Sequence, residues 1–323
     1  GSTARITARA QQVSTATTAY DGGTVRLNAE KGRISLSQDA SIDVSPKWAA
    51  GADAAAQAAA VKVYGGKVNL RAQQTGSSVD VVAIDLKPGA DAGKTIVQGA
   101  KSVAVEGFKG YSGSSLTTAL KNSITSNASS LANSAAVVSA NLAALTSGTL
   151  NVLAGAEINS SGDFALGSAW SLWSASNYHP VNLTIRAAGN LDVTASLSDG
   201  FDAKGIAQTG VASSFNLVGG ADASSADVLA TTAGAGNVNI GGSGSVLVRS
   251  TTGDINVAAG NDIQFVNGKA AVYTTGEPIA LSTLGAFVAP TSLNVAGLQQ
   301  LFSATGTSSY YKWLLTNGGT SAN

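Results

Sequence analysis

Residues 237–268 consist of four consecutive units, NVNIGGSG, SVLVRSTTG, DINVAAGN and DIQFVNG. Each is four to six residues of apolar/polar alternation closed by Gly, Asn, Asp or a Ser–Thr step. The same phrase stands at 23–37 (GTVRLNAEKGRISLS), 66–72 (GKVNLRA) and 181–197 (VNLTIRAAGNLDVTASL). Alternation with period two marks half-buried strands, and strands this short bury no core alone. Stacked on one another they do, so the repeat argues for an all-β chain folded as a parallel β-helix, a β-solenoid, rather than a compact globular enzyme.

Composition agrees. The chain has 323 residues, 38 of them Gly, with no Cys and no Met; 44% are hydrophobic, only 6% aromatic and 12% charged. Small aliphatic side chains suit a narrow core to which each wall contributes one or two residues per turn. Gly, Asn, Asp, Ser and Thr suit the corners, because they accept left-handed geometry or hydrogen-bond their own backbone. Lys plus Arg balances Asp plus Glu at 19 each. No basic patch with interleaved aromatics exists, so no nucleic-acid partner is expected. No run of 18 apolar residues exists, so no membrane-spanning helix is expected either. The lack of Cys fits an exported chain that uses no disulfides. A chain that lacks Met and opens Gly1-Ser2 reads as an internal piece of a longer one behind a protease scar.

Along the chain, residues 3–112 read as coils, with strands expected at 5–10, 23–28, 33–37, 41–44 and 102–105, and the coil resuming at Gly65 and continuing through 78–84. The Ala-rich stretch 48–60 interrupts them as a short helix or a looped-out insertion. From 113 to 148 the period changes. Leu116, Leu120, Ile124, Leu131, Ala135, Val138, Leu142 and Leu145 lie three, four or seven apart, one face of a helix. Ser114 or Ser115 is the expected N-cap and Gly148 the stop. One long helix or two broken near Asn127 both fit, packed on one wall as a structural flap or offered to a partner. Coils resume over 149–280, interrupted by a Trp-rich excursion at 169–180 and a loop or extra coil at 203–231. Residues 281–323 are expected to form an irregular or helical cover, with 295–302 and 310–315 helical. About ten coils are expected, some 50 Å at ~4.8 Å per rung.

Several phrases in the same order resemble the large bacterial exoproteins of the filamentous haemagglutinin type, exported by two-partner secretion. They are ISLSQDASIDVS at 34–45, NVLAGAEINSSGDFAL at 151–166, IRAAGNL at 185–191, SLSDGF at 196–201 and IQFVNGKAAVYTTGEP at 263–278. The helical patch around NSAA at 133–136 sits where such proteins often carry one. The resemblance covers most of 20–280; the tail after Leu281 departs from the family's Gly-rich rungs. It implies a right-handed β-helix forming part of a secreted or cell-surface shaft. It also implies an outer-membrane transporter as partner during secretion, and a host or bacterial surface glycan or protein as receptor. An adhesin, a haemolysin and the stalk of a contact-dependent toxin all fit it.

The motifs that look chemical fail on spacing. PGADAGKT at 88–95 ends like a phosphate loop, but Pro88 stands where the first Gly is required. GGSGSV at 241–246 opens like a calcium nonapeptide, but Val246 replaces its Asp. His179 is the only histidine, so zinc has no ligand set. No metal, cofactor or catalytic residue is therefore assigned. The exposed-aromatic candidates for ligand binding are Trp170, Trp173, Tyr178 and the adjoining His179, since such rings stack on sugars when exposed. Many parallel β-helices process polysaccharides, so Asp192, Asp199 and Asp202 are weighed as acids against a corner-capping role. Asn127, Asn159 and Asn182 head Asn-x-Ser/Thr triplets, the glycosylation acceptor.

Overall fold

The computed structural model describes residues 4–10, 20–48, 51–87, 89 and 94–276. The chain divides into two compact units, 1–278 and 279–323. The second, with the expected cover and its helices, lies outside the described residues.

The described residues are mostly β: 42% strand against 14% helix. In chain order come β1 (Arg5–Thr7), β2 (Thr24–Ala29), β3 (Ile34–Ser37), β4 (Ser41–Asp43), α1 (Ala54–Tyr64), β5 (Gly66–Gln73), β6 (Ile84–Lys87), β7 (Val97–Gln98) and β8 (Ala100–Ser112). Then follow α2 (Thr118–Asn133), α3 (Ala135–Asn141), a 3-10 turn (Ala143–Leu145), β9 (Leu150–Ser160), β10 (Phe164–Leu166), β11 (Trp170–Ser171), β12 (Val181–Ala187), β13 (Leu191–Val193) and β14 (Leu197–Asp199). The last are β15 (Phe215–Gly219), β16 (Val238–Ile240), β17 (Val246–Ser250), β18 (Ile255–Ala259), β19 (Ile263–Phe265) and β20 (Ala270–Thr274).

All ladders between these strands are parallel. From β9 onward each strand pairs with the one three places later. This gives the sheets β10-β13-β16-β19 and β11-β14-β17-β20, and the end of a curled seven-stranded sheet, β18-β15-β12-β9-β8-β5-β2. The earlier strands form the shorter sheets β1-β4-β7 and β3-β6. Among the described residues the seven-stranded sheet is the longest, running from β2 to β18.

The alternation puts one parity inside. Val68, Leu70 and Ala72 of β5, and Leu183, Ile185 and Ala187 of β12, are all completely buried. Their registers stack like on like: Leu27 beside Leu70 beside Val105, and Ile158 beside Ile185 beside Leu217. The expected corner chemistry is present. Asp163 Oδ1 accepts from Asn190 N (2.6 Å), Asn190 Oδ1 from Asn237 N (2.8 Å) and Asn237 Oδ1 from Asp262 N (2.9 Å). One Asn/Asp position thus climbs four levels at the same corner.

One open choice resolves and two local expectations change. The Ala-rich stretch is a helix, α1, starting at the Asp53 cap, whose carboxylate accepts from Ala56 N at 2.8 Å. Alanine's high helix propensity is sufficient, since none of its residues is buried. Where the coil is expected to continue through 78–84, β5 ends at Gln73, Ser78–Asp80 is a bend and the next strand starts at Ile84. The helical patch is broken at Ser134, not near Asn127, and its N-cap is Thr117, whose Oγ1 accepts from Leu120 N.

The helical patch packs one apolar face into the strand core. It occupies the place between β8 and β9 where later repeats carry two short strands. Leu116, Ile124, Ala128, Leu131, Val138, Leu142 and Leu145 are buried in the same cluster as the strand interiors. Gly107, on the inner parity of β8, admits this: a Cβ there would run into Val82 and press on Leu131. Backbone bonds tie both ends, Leu116 N to Ala165 O and Ile96 N to Ala144 O, each 3.0 Å.

Candidate functional site

The Trp-rich excursion separates the four expected ligand contacts. Trp170 opens β11, pairs with Leu197 and is 8% exposed, so it belongs to the core and leaves no ring for a ligand. Trp173, Tyr178 and His179 are half-buried. His179 Nε2 lies 3.3 Å from Asn177 Oδ1, a residue held at φ 53°. Tyr178 points inward instead: its hydroxyl donates to Asp199 Oδ2 at 2.5 Å. Burial, and then the Asp199 charge, push its phenol well above the ordinary value of 10.

The three weighed aspartates part company. Asp199 is completely buried, which removes it as an acid acting on polysaccharide. Asp202 caps a turn, accepting from Lys204 N and Ile206 N, and Asp192 accepts from Asn239 Nδ2 on the next level. The corner-capping role describes Asp202; Asp192 belongs to a side-chain ladder. The three glycosylation triplets are also engaged. Asn127 exchanges two amide hydrogen bonds with Gln74, Asn159 donates to Glu157 and Asn182 donates to Glu106.

Among the described residues, five ionisable groups far apart in sequence form one ion-pair cluster. Glu30 follows β2, and Arg71, Glu106, Glu157 and Arg186 lie on β5, β8, β9 and β12, five consecutive strands of the long sheet. All carry the outward parity. Arg71 Nε donates to Glu106 (3.1 Å), Nη1 to Glu30 (3.0 Å) and Nη2 to Glu157; Arg186 Nη1 donates to the other Glu157 oxygen at 3.1 Å. The Arg71 guanidinium also stacks 3.7 Å above the Phe108 ring. Glu157 and Arg186 are 0% and 1% exposed despite facing outward. The connection after β15 covers them: Arg186 Nη2 donates to Asp222 O and Ser225 O, and Asn28 Nδ2 reaches Ala226 O.

Three carboxyls share two guanidiniums. Burial works against the charge on Glu157, but Arg71, Asn159 and Arg186 outweigh it and hold that carboxyl below the ordinary range. Burial raises Glu106, and burial together with the Glu157 charge raises Glu30. A raised carboxyl holds its proton more tightly folded than unfolded. Its stabilising contribution is full below the unfolded value near 4.5 and fades as pH rises through the folded one. Thermal midpoints are therefore expected to rise as pH falls through the raised carboxyls of Glu106 and Glu30. Below that they fall again as Glu157, depressed, is forced to take a proton. Glu106→Gln flattens the rising limb in calorimetric scans; an unchanged limb means that Glu106 does not titrate there.

Beside α2, an open groove of about 450 Å³ is lined by Lys109, Asn122, Ser123, Ser126, Asn127 and Ser130. Among the described residues no group of three His, Cys, Asp or Glu gathers to hold a metal, and no helix is long and apolar enough to cross a membrane. Of the phosphate-loop look-alike, only Gly89, Lys94 and Thr95 fall within the described residues. No protein-family model matches the chain, and neither the curated proteins nor the solved structures compared with it give a significant match.

Proposed function

We propose that this chain is a shaft segment of a secreted or surface-exposed bacterial exoprotein of the filamentous haemagglutinin type, folded as a right-handed parallel β-helix. Its work is geometric: stacked levels carry the polar groove of the helical insertion and the 169–180 excursion to a receptor on a host or bacterial surface, glycan or protein. An outer-membrane transporter takes the unfolded chain across during secretion. The observation that carries this reading is the unbroken seven-stranded parallel sheet, whose buried charges are spent on each other across five strands.

Fractionation of cells making the full-length product tests it. The product is expected at the surface or in the medium, and to be lost from both when its partner barrel is deleted. Retention in the cytoplasm of cells that have the barrel would sink the proposal.

One observation favours a second reading, a polysaccharide-processing enzyme. Glu106, with its raised affinity for a proton and a side chain 17% exposed on the outer sheet face, has the character of a general acid. Glycan cleavage abolished by Glu106→Gln would promote it over the scaffold.

A further inference from the structure

The last level of strands has an open edge. β18, β19 and β20 each stand at the end of a sheet and, among the described residues, pair on one side only. The register gives Ile255, Val257, Ile263, Phe265 and Val272 the interior parity, beside Phe215, Leu217, Val238, Ile240 and Val248. Those five neighbours are completely buried. One level on, Ile263 is 48% exposed, Phe265 55% and the following Val266 59%, while Ile255, Val257 and Val272 are half-buried. An apolar strand edge with free N–H and C=O groups is a template for another strand.

We propose that this level is the interface of a two-fold dimer, its occupant a second copy of the same chain. A two-fold axis through Gln264 lays β19 antiparallel on the other copy's β19. It also brings β18 against the other copy's β20, because these strands flank the one on the axis. The lengths agree: three residues on three, and five on five.

The charges agree as well. Asp262 immediately precedes β19 and Lys269 follows it; both are exposed and neither has an ion-pair partner among the described residues. The axis turns Asp262 of each copy toward the 266–269 corner of the other, so opposite charges meet twice. Such a contact is isologous and closes at two copies.

Sedimentation of the 323-residue chain tests this. The expected species has twice the 31.8 kDa of one chain and dissociates on dilution. Phe265→Lys is expected to leave a monomer with unchanged circular dichroism, since the ring it replaces is more than half exposed. Lys269→Asp sets two pairs of like charges across the interface and should weaken the dimer about tenfold. Adding Asp262→Lys in the same chain restores it. The chain has no cysteine, so Gln264→Cys adds a single thiol per copy. The two thiols oppose each other across the axis at the ~4.5–5.5 Å Cα separation of an antiparallel pair, and oxidation should lock the dimer through a disulfide. A monomer at every concentration, with this level covered from within its own chain, overturns the proposal. So does a dimer that withstands Phe265→Lys, or one that Gln264→Cys fails to cross-link.

Discussion

Ile185→Asp is expected to abolish folding of the β region. Ile185 is completely buried at the centre of β12, stacked between Ile158 and Leu217 in register. Substitution removes an apolar side chain from two neighbouring levels at once and places a carboxylate where no cation reaches. The lost transfer and packing alone cost about 2–5 kcal/mol, and an unpaired buried charge adds several more. The sum rivals the ~5–15 kcal/mol by which a native chain exceeds its unfolded state. Circular dichroism of the variant should show loss of strand signal at room temperature. Melting unchanged from the parent would refute the stacked interior altogether.

Arg71→Ala is the second large effect, an expected loss of about 3–5 kcal/mol in urea unfolding. Arg71 is the one group that touches all three carboxylates, from Glu30 through Glu106 to Glu157. Without it, Glu30 and Glu106 lose their ion pair, and Glu157 keeps its complete burial with Arg186 as its remaining ion-pair partner. Arg71→Lys should recover only part, because a point charge cannot serve three acceptors in a planar fork. Adding Glu106→Gln to Arg71→Ala should restore stability relative to the single change. The resulting coupling, about 0.5–3 kcal/mol, is the signature of a shared network. Strict additivity of the two substitutions would show that the charges act independently.

Much of the fold was legible because its signals are local. The alternation in 181–197 and 237–268 depends only on neighbouring residues, and its apolar members Leu183, Ile185, Val238 and Ile240 are completely buried. The 3.6 periodicity of residues 116–145 identified helices for the same reason, and Leu116, Ile124, Leu131, Val138, Leu142 and Leu145 are buried. Helix boundaries were less legible. Ser134 serves as the C-cap of α2 and heads α3, in a stretch where Ser, Asn and Thr offer many equivalent stops.

The candidate site was read less well, for a physical reason. An aromatic cluster in sequence says nothing about which ring faces inward; β11 pairing placed Trp170 in the core while Tyr178 turned to Asp199. The Arg–Glu ladder gave no local sign either. Its members are 29 to 86 residues apart where they touch, and each reads singly as an ordinary outward polar position.

By itself, the sequence determined the strand repeat, the interior parity and the Gly/Asn/Asp corners, since period, propensity and turn chemistry act over a few residues. Tertiary structure alone decided the register between distant strands, and with it three things: the five-strand ion network, the helices filling the interior between β8 and β9, and the burial of the Asp199 carboxylate. A charge's partner depends on which strand lies ~4.8 Å away, and in a parallel stack that neighbour comes from dozens of residues along the chain.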